Sequence, residues 1–124
     1  MTILYADDDA EDRELFADAL KEILPTTKLI LAGHGKEVIQ KLSALSKSPD
    51  YIFLDINMPI MDGYDCLVKL KELSHTKHIP VIMYTTSSNA MELKKYMALG
   101  ASAFVIKEPS FQGIKNSLTK ALIK

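Results

Sequence analysis

Five short apolar runs, separated by longer segments of helical period, leave this chain few folds to choose from. The runs are Thr2 to Ala6, Lys28 to Ala32, Tyr51 to Leu54, Ile79 to Tyr84 and Ala103 to Ile106. Each is short and almost continuously apolar, the pattern of a strand covered on both faces. Five stripes at helical spacing lie between and after them: Leu15, Phe16, Ala19, Leu20 and Ile23; Val38, Ile39, Leu42 and Leu45; Cys66, Leu67, Leu70 and Leu73; Leu93, Tyr96 and Met97; Phe111, Ile114, Leu118 and Leu122. The punctuation agrees. Asp9 is placed to cap the first helix, Pro25 follows it closely, Gly33 and Gly35 bracket the next turn, Pro80 falls at a strand start, and Gly100 stops the fourth helix. The pattern is (βα)₅. Crossovers of this length force parallel strands and right-handed connections, so a parallel sheet with helices on both faces is expected. A chain of 124 residues supports one such core, and a single domain over residues 1–124 is expected.

In an open parallel sheet, function gathers at the carboxyl ends of the strands, near the point where strand order reverses. Asp7, Asp8 and Asp9 end the first run and Asp55 ends the third. Thr85 and Thr86 follow the fourth, and Lys107 follows the fifth. Carboxylates gathered on one edge repel one another, and a shared cation resolves that repulsion. Magnesium takes a few carboxylates plus waters, so it is the expected ion. Asp8 and Asp55 are the candidate direct ligands and Asp7 acts through water. A backbone carbonyl just after Asp55, with that of Asn57 the first candidate, completes the protein ligands. A carboxylate beside magnesium can act as a nucleophile toward phosphorus, and Asp55 has that placement. Lys107 can reach Asp55 or a phosphoryl oxygen as a point charge, and the Thr85 hydroxyl can donate to that oxygen. Asp7, Asp8 and Asp55 carry −3, which the metal and Lys107 balance with +3. Phosphorylation removes one carboxylate charge and adds up to about −2, leaving the site near −1 and ready to draw Thr85 inward.

Composition removes several other classes. A net charge of −1 gives little pull on nucleic acid. No apolar run nears the ~20 residues of a membrane span, and with no basic flank or cleavage site at the first strand no signal peptide is expected. Cys66, the one cysteine, cannot form an internal disulfide and fits a reducing compartment. A cytoplasmic protein with no membrane or nucleic-acid partner is expected. Cys66 lies on an apolar stripe and reads as core. His34, His75 and His78 share no metal-ligand spacing and read as solvated. Met58 and Met61 flank the Asp55 loop, to pack or to meet a partner.

The residues resemble the CheY-like receiver domains of two-component response regulators along nearly the whole chain. Ile3 to Asp9 is similar to that family's first strand and acidic pair. Leu54-Asp55-Ile56-Asn57-Met58-Pro59-Ile60-Met61-Asp62-Gly63 is similar to its phosphorylation loop, and this decapeptide carries most of the specificity. Pro80 to Thr86 resembles its fourth strand and switch threonine. Gly100 to Lys107 resembles its fifth strand, with a switch aromatic at Phe104 and the terminal lysine. The resemblance implies a flavodoxin-like three-layer sandwich of strand order 2-1-3-4-5, one of the two common orders of doubly wound sheets. It implies phosphoryl transfer from a phosphohistidine on a sensor histidine kinase or histidine phosphotransfer protein to Asp55, forming 4-aspartylphosphate. It implies that Thr85 couples to rotation of Phe104, altering the face of the fourth helix, fifth strand and fifth helix, where a homodimer could form. Asn57 and Ser87 stand where the family tunes phosphoryl lifetime.

The chain departs from the family at Glu108, which separates Lys107 from Pro109. A cis bond there would cost about 2.5–4 kcal/mol against about 0.5–1 for a bond to proline, so a trans Lys107–Glu108 bond is expected. Because the sequence ends with the fifth helix, no output domain is expected. The domain is expected to catalyse its own phosphorylation and dephosphorylation without being an enzyme in the usual sense, and to signal through a downstream partner protein. Two other classes share parts of the pattern. A magnesium-dependent small-molecule phosphatase with an aspartyl-phosphate intermediate needs a second acid where Asn57 stands, and a cap. A flavin mononucleotide binder needs a phosphate cradle where Asp7 to Asp9 would repel the phosphate.

Overall fold

A computed structural model of the chain describes residues 1–123. The elements run β1 (Thr2–Ala6), α1 (Ala10–Ile23), β2 (Lys28–Ala32), α2 (Gly35–Ala44), β3 (Tyr51–Leu54), α3 (Gly63–Glu72), β4 (Val81–Thr85), α4 (Ala90–Ala98), β5 (Ala103–Ile106) and α5 (Phe111–Leu122). The five strands form one sheet of order β2-β1-β3-β4-β5, every pair parallel. The expected strand order and fold class are therefore those observed.

Successive residues of a strand point to opposite faces, and that alternation divides the core in two. Leu4, Ala6, Ile52, Leu54, Val81 and Met83 meet α2, α3 and α4 through Val38, Leu42, Cys66, Leu67, Leu70 and Tyr96. Ile3, Tyr5, Phe53, Ile82 and Tyr84 meet α1 and α5 through Phe16, Ala19, Leu20, Ile114 and Leu118. On this second face Tyr5 stacks on Phe16, with ring centroids 4.1 Å apart, and Phe53 and Tyr84 pack edge-on to Phe16. Each fully buried side chain of this size contributes about 1.5–3 kcal/mol by removal from water.

Local chemistry sets the helix starts. Asp9 Oδ1 accepts from the Glu11 and Asp12 N–H groups, at 2.8 and 3.1 Å. Asp62, Asn89 and Ser110 cap α3, α4 and α5 through side-chain oxygens in the same way. Gly100, at φ +106°, ends α4 in a conformation that side chains resist.

The structure differs from the sequence-based expectation at three places. β4 starts at Val81, because Ile79 still belongs to the turn after α3 and donates its N–H to Thr76 O. It runs one residue further, to Thr85, which is paired with Ile106. His34 is half-buried, and its Nδ1 accepts from the Glu37 N–H at 3.0 Å, so it caps α2 rather than sitting free in a loop. On α4 only Tyr96 is buried, while Leu93 and Met97 stay about two-fifths exposed, at 42% and 40%. Among the described residues, no further helix covers that outer stripe of α4.

Candidate functional site

The order of the strands reverses at β1. Its two neighbours are β2 and β3, so the ends of β1 and β3 lie side by side at one rim of the sheet. The Asp55 N–H donates to Ala6 O at 3.0 Å, and the Asp7 N–H donates to Ala32 O at 3.0 Å, which carries the ladder into the acidic residues themselves. Asp7, Asp8 and Asp55 each place a carboxylate oxygen within 4.8 Å of the others. Asp7 is fully buried, Asp55 nearly so, and Asp8 is exposed, so the cluster opens to solvent on one side.

Asp7 is braced on every side. Its Oδ2 accepts from the Tyr5 hydroxyl at 2.5 Å and from Lys107 Nζ at 2.6 Å, and its Oδ1 accepts from the Asp9 N–H at 2.9 Å. Both oxygens already have protein donors, which suits a ligand acting through water better than one bound directly. Asp8 and Asp55 carry the freer oxygens. The donor set of hard carboxylate oxygens beside solvent fits a magnesium-sized ion that keeps several of its waters. Burial, first, and the Asp7 charge, second, push the Asp55 carboxyl up to about 6, while Lys107 pulls it back down. A bound cation would favour the ionised form.

Lys107 sits where β5 ends, and its backbone N–H donates to Thr85 O at 2.6 Å. Its ammonium lies 2.6 Å from Asp7, 2.8 Å from Asp12 and 3.6 Å from Asp55. Burial works to lower its pKa, but the contacts with Asp12, Asp7 and Asp55 outweigh it and hold the lysine charged. Position along the chain pointed Lys107 at Asp55; its two close partners are instead Asp7 and Asp12. Asp12 gives no sign of this contact in the sequence, because it lies in the first turn of α1, far along the chain from Lys107. Tyr5 is likewise only a strand aromatic in the sequence. Its hydroxyl reaches Asp7 because residues two apart in a strand share a face.

Thr85 is buried, and its Oγ1 accepts from the Ser87 N–H at 3.3 Å. Ser87 Oγ in turn donates to Glu92 Oε2 at 2.7 Å, tying the loop after β4 to α4. Phe104 is half-buried, with its ring 6.2 Å from that of Tyr96. Asn57 is exposed, at the start of the loop after Asp55. No peptide bond among the described residues is cis, so Lys107–Glu108 is trans. Met58 and Met61 pack against the core. Cys66 is buried, and burial pushes its thiol up to about 12, which removes it as a nucleophile. His75 and His78 are exposed.

The loop from Asp55 to Gly63 is tightly wound. The Met61 N–H donates to Pro59 O at 2.7 Å, closing a γ-turn about Ile60, whose φ is +68°. A β-branched residue rarely takes that conformation. Gly63 returns the chain against the backbone of Asp55 and Ile56, its N–H donating to Ile56 O at 2.8 Å. A Cβ there would overlap the Asp55 carbonyl oxygen, so only glycine fits.

A doubly wound parallel α/β sandwich with acids and a lysine gathered at its switch point defines a CheY-like signalling fold. The chain belongs to the response regulator receiver domain family, whose model matches residues 3–119. It is 30% identical to chemotaxis protein CheY1 of Helicobacter pylori over 122 residues, covering 98% of this chain and 97% of that protein. It is also 34% identical to a protein-glutamate methylesterase/protein-glutamine glutaminase of Methanococcoides burtonii over 113 residues. That match covers 90% of this chain but 31% of the relative, so the chain spans about a third of that protein's length. Among solved structures, the phosphorylated cyanobacterial phytochrome response regulator RcpA matches with a TM-score of 0.87 at 26% identity, covering 98% of this chain and 94% of that one. The Mn(2+)-bound form of response regulator Rcp1 matches equally, with a TM-score of 0.87 at 26% identity, covering 99% and 95%. No helix among the described residues is long and apolar enough to cross a membrane.

Proposed function

We propose that this receiver domain, taken as one unit over residues 1–124, is a magnesium-dependent phosphoacceptor switch with Asp55 as its nucleophile. The convergence of Asp7, Asp8 and Asp55 within 4.8 Å, beside the Lys107 ammonium, carries this reading. Relatives solved in phosphorylated and Mn(2+)-bound forms support it. Asp8, Asp55 and the Asn57 carbonyl would hold the ion directly, with Asp7 acting through water. When bound, the ion supplies positive charge that screens the approach of an anionic phosphate to an anionic nucleophile.

An Asp55 carboxylate oxygen attacks phosphorus of a phosphohistidine. The P–N bond breaks, its electron pair stays with the imidazole, and a P–O bond leaves an aspartyl phosphate. Water later attacks the phosphorus, returning Asp55 and releasing inorganic phosphate. Lys107 offers its ammonium to a phosphoryl oxygen, and the Thr85 hydroxyl donates to another. Moving Thr85 inward withdraws its hydroxyl from Ser87, and Phe104 follows into the space vacated. The donor is a sensor histidine kinase or a histidine phosphotransfer protein in the cytoplasm, and a downstream protein reads the altered α4–β5–α5 face. The exposed Met91, Leu93 and Met97, and a cavity of about 660 Å³ along the open edge of β5, also suit that face to a second copy of the chain. Sedimentation before and after phosphorylation tests the second copy.

Acetyl phosphate and magnesium should add one phosphoryl group to the intact mass. The gain should vanish in Asp55→Asn and in chelator. A gain that survives Asp55→Asn would move the acceptor elsewhere and overturn the assignment.

A further inference from the structure

Lys107 is held by an acid that the phosphoacceptor role does not require. The geometry points to Asp12 as a positioning residue, which parks the Lys107 ammonium in the resting protein and yields it to the phosphoryl group. This rests on the reading of Asp55 as phosphoacceptor.

An ammonium has three donors. Two are spent on Asp7 at 2.6 Å and Asp12 at 2.8 Å, and Asp55 at 3.6 Å lies beyond hydrogen-bond reach. Asp12 is aimed by the frame around it. Asp9 caps α1 through the Asp12 N–H itself, and Arg13 Nη1 donates to Asp7 O at 2.6 Å, bracing the first turn of α1 against the end of β1. α1 thus delivers a carboxylate closer to the Lys107 ammonium than Asp55 is, 2.8 Å against 3.6 Å. Asp12 also lines a cavity of about 310 Å³ beside Tyr84, Thr86 and Lys107, which leaves the ammonium and its partner room to part.

The two contacts differ in what their loss would do. The Asp7 side chain is 0% exposed, so losing Lys107 would strand a buried charge with fewer donors. The Asp12 side chain is 35% exposed and water can replace the ammonium there. When negative charge grows at Asp55, the contact that lets go is therefore Asp12. Asp7 is the permanent anchor and Asp12 the exchangeable one. In the resting protein Asp12 competes with the phosphoryl group for Lys107, and so holds down occupancy of the loaded state.

Glu11→Gln is the matched control. It removes an acid from the same first helical turn, but one that makes no hydrogen bond or ion pair with Lys107. Beryllofluoride, which mimics a phosphoryl group on a carboxylate, is titrated in saturating magnesium. We expect Asp12→Asn to tighten binding roughly three- to fivefold beyond the change in Glu11→Gln, the scale of a half-exposed ion pair. In metal-free protein without beryllofluoride, the Lys107 ammonium ¹⁵N resonance should move in Asp12→Asn and stay in place in Glu11→Gln. Equal beryllofluoride affinities in the two variants, or an unmoved Lys107 resonance, would overturn the role of Asp12 alone. A wild-type protein that takes up no beryllofluoride would overturn the phosphoacceptor reading, and this inference with it.

Discussion

Asp55→Asn removes a charge that the fold itself penalises. Burial and the neighbouring Asp7 push the Asp55 carboxyl from its ordinary 3.8 up to about 6 in the absence of metal. The folded protein therefore holds this proton more tightly than the unfolded chain does, and ionisation destabilises the fold. That penalty is absent below about pH 4, grows between about pH 4 and 6, and is complete above about pH 6. Two units at about 1.4 kcal/mol each give an upper limit of about 3 kcal/mol. Water entering beside the exposed Asp8 trims it, so we expect Asp55→Asn to be more stable than wild type by about 1–3 kcal/mol near pH 7.5 in chelator. For a chain of this size that is a rise in Tm of about 4–12 °C. Thermal and urea denaturation, followed by circular dichroism, measure it directly. Near pH 4.5 the gap should shrink to about a third of its size, because wild-type Asp55 is then protonated in the fold while the unfolded carboxyl is still mostly ionised. Saturating magnesium should close or reverse the gap near pH 7.5, since a hundredfold excess over Kd adds about 2.7 kcal/mol to the form that binds it. An asparagine variant no more stable than wild type in chelator near pH 7.5 would refute the burial argument. So would a gap of unchanged size near pH 4.5.

Three further outcomes follow from the site's frame. Ile60→Gly should stabilise the protein by up to about 1 kcal/mol in urea denaturation, since Ile60 is 75% exposed and glycine takes the γ-turn's φ of +68° without a Cβ clash. Gly63→Ala should destabilise by about 2 kcal/mol or more, since its Cβ would also lie 2.8 Å from Ile56 Cα, and backbone on both sides resists moving. Lys107→Met should lower stability in chelator by about 3 kcal/mol, because Asp7 is left as a buried charge without its cation. Magnesium should restore part of that loss, as read from the same denaturation curves.

Much of this fold lies in short stretches of sequence. The five apolar runs mark the strands to within a residue or two, since two-sided burial needs continuous apolar residues. Asp9, Gly100 and the loop from Asp55 to Gly63 mark the turns, because capping and positive φ are local demands. The expectation for α4 failed for a reason equally physical. Leu93 and Met97 have helical spacing, but spacing cannot tell whether a neighbouring helix will cover them.

The sequence by itself determined which residues end the strands, and hence that Asp7, Asp8, Asp55, Thr85 and Lys107 share one rim. Alternation of period and the handedness of parallel crossovers suffice for that. Only the tertiary structure decided how those groups pair. It brought Lys107 to Asp7 and Asp12, turned the Tyr5 hydroxyl onto Asp7, made His34 a cap and placed Ile60 at positive φ. These outcomes depend on ångström-scale distances between elements far apart along the chain. Electrostatic and hydrogen-bond energies change steeply over such distances, whereas the hydrophobic pattern that sets the fold tolerates them.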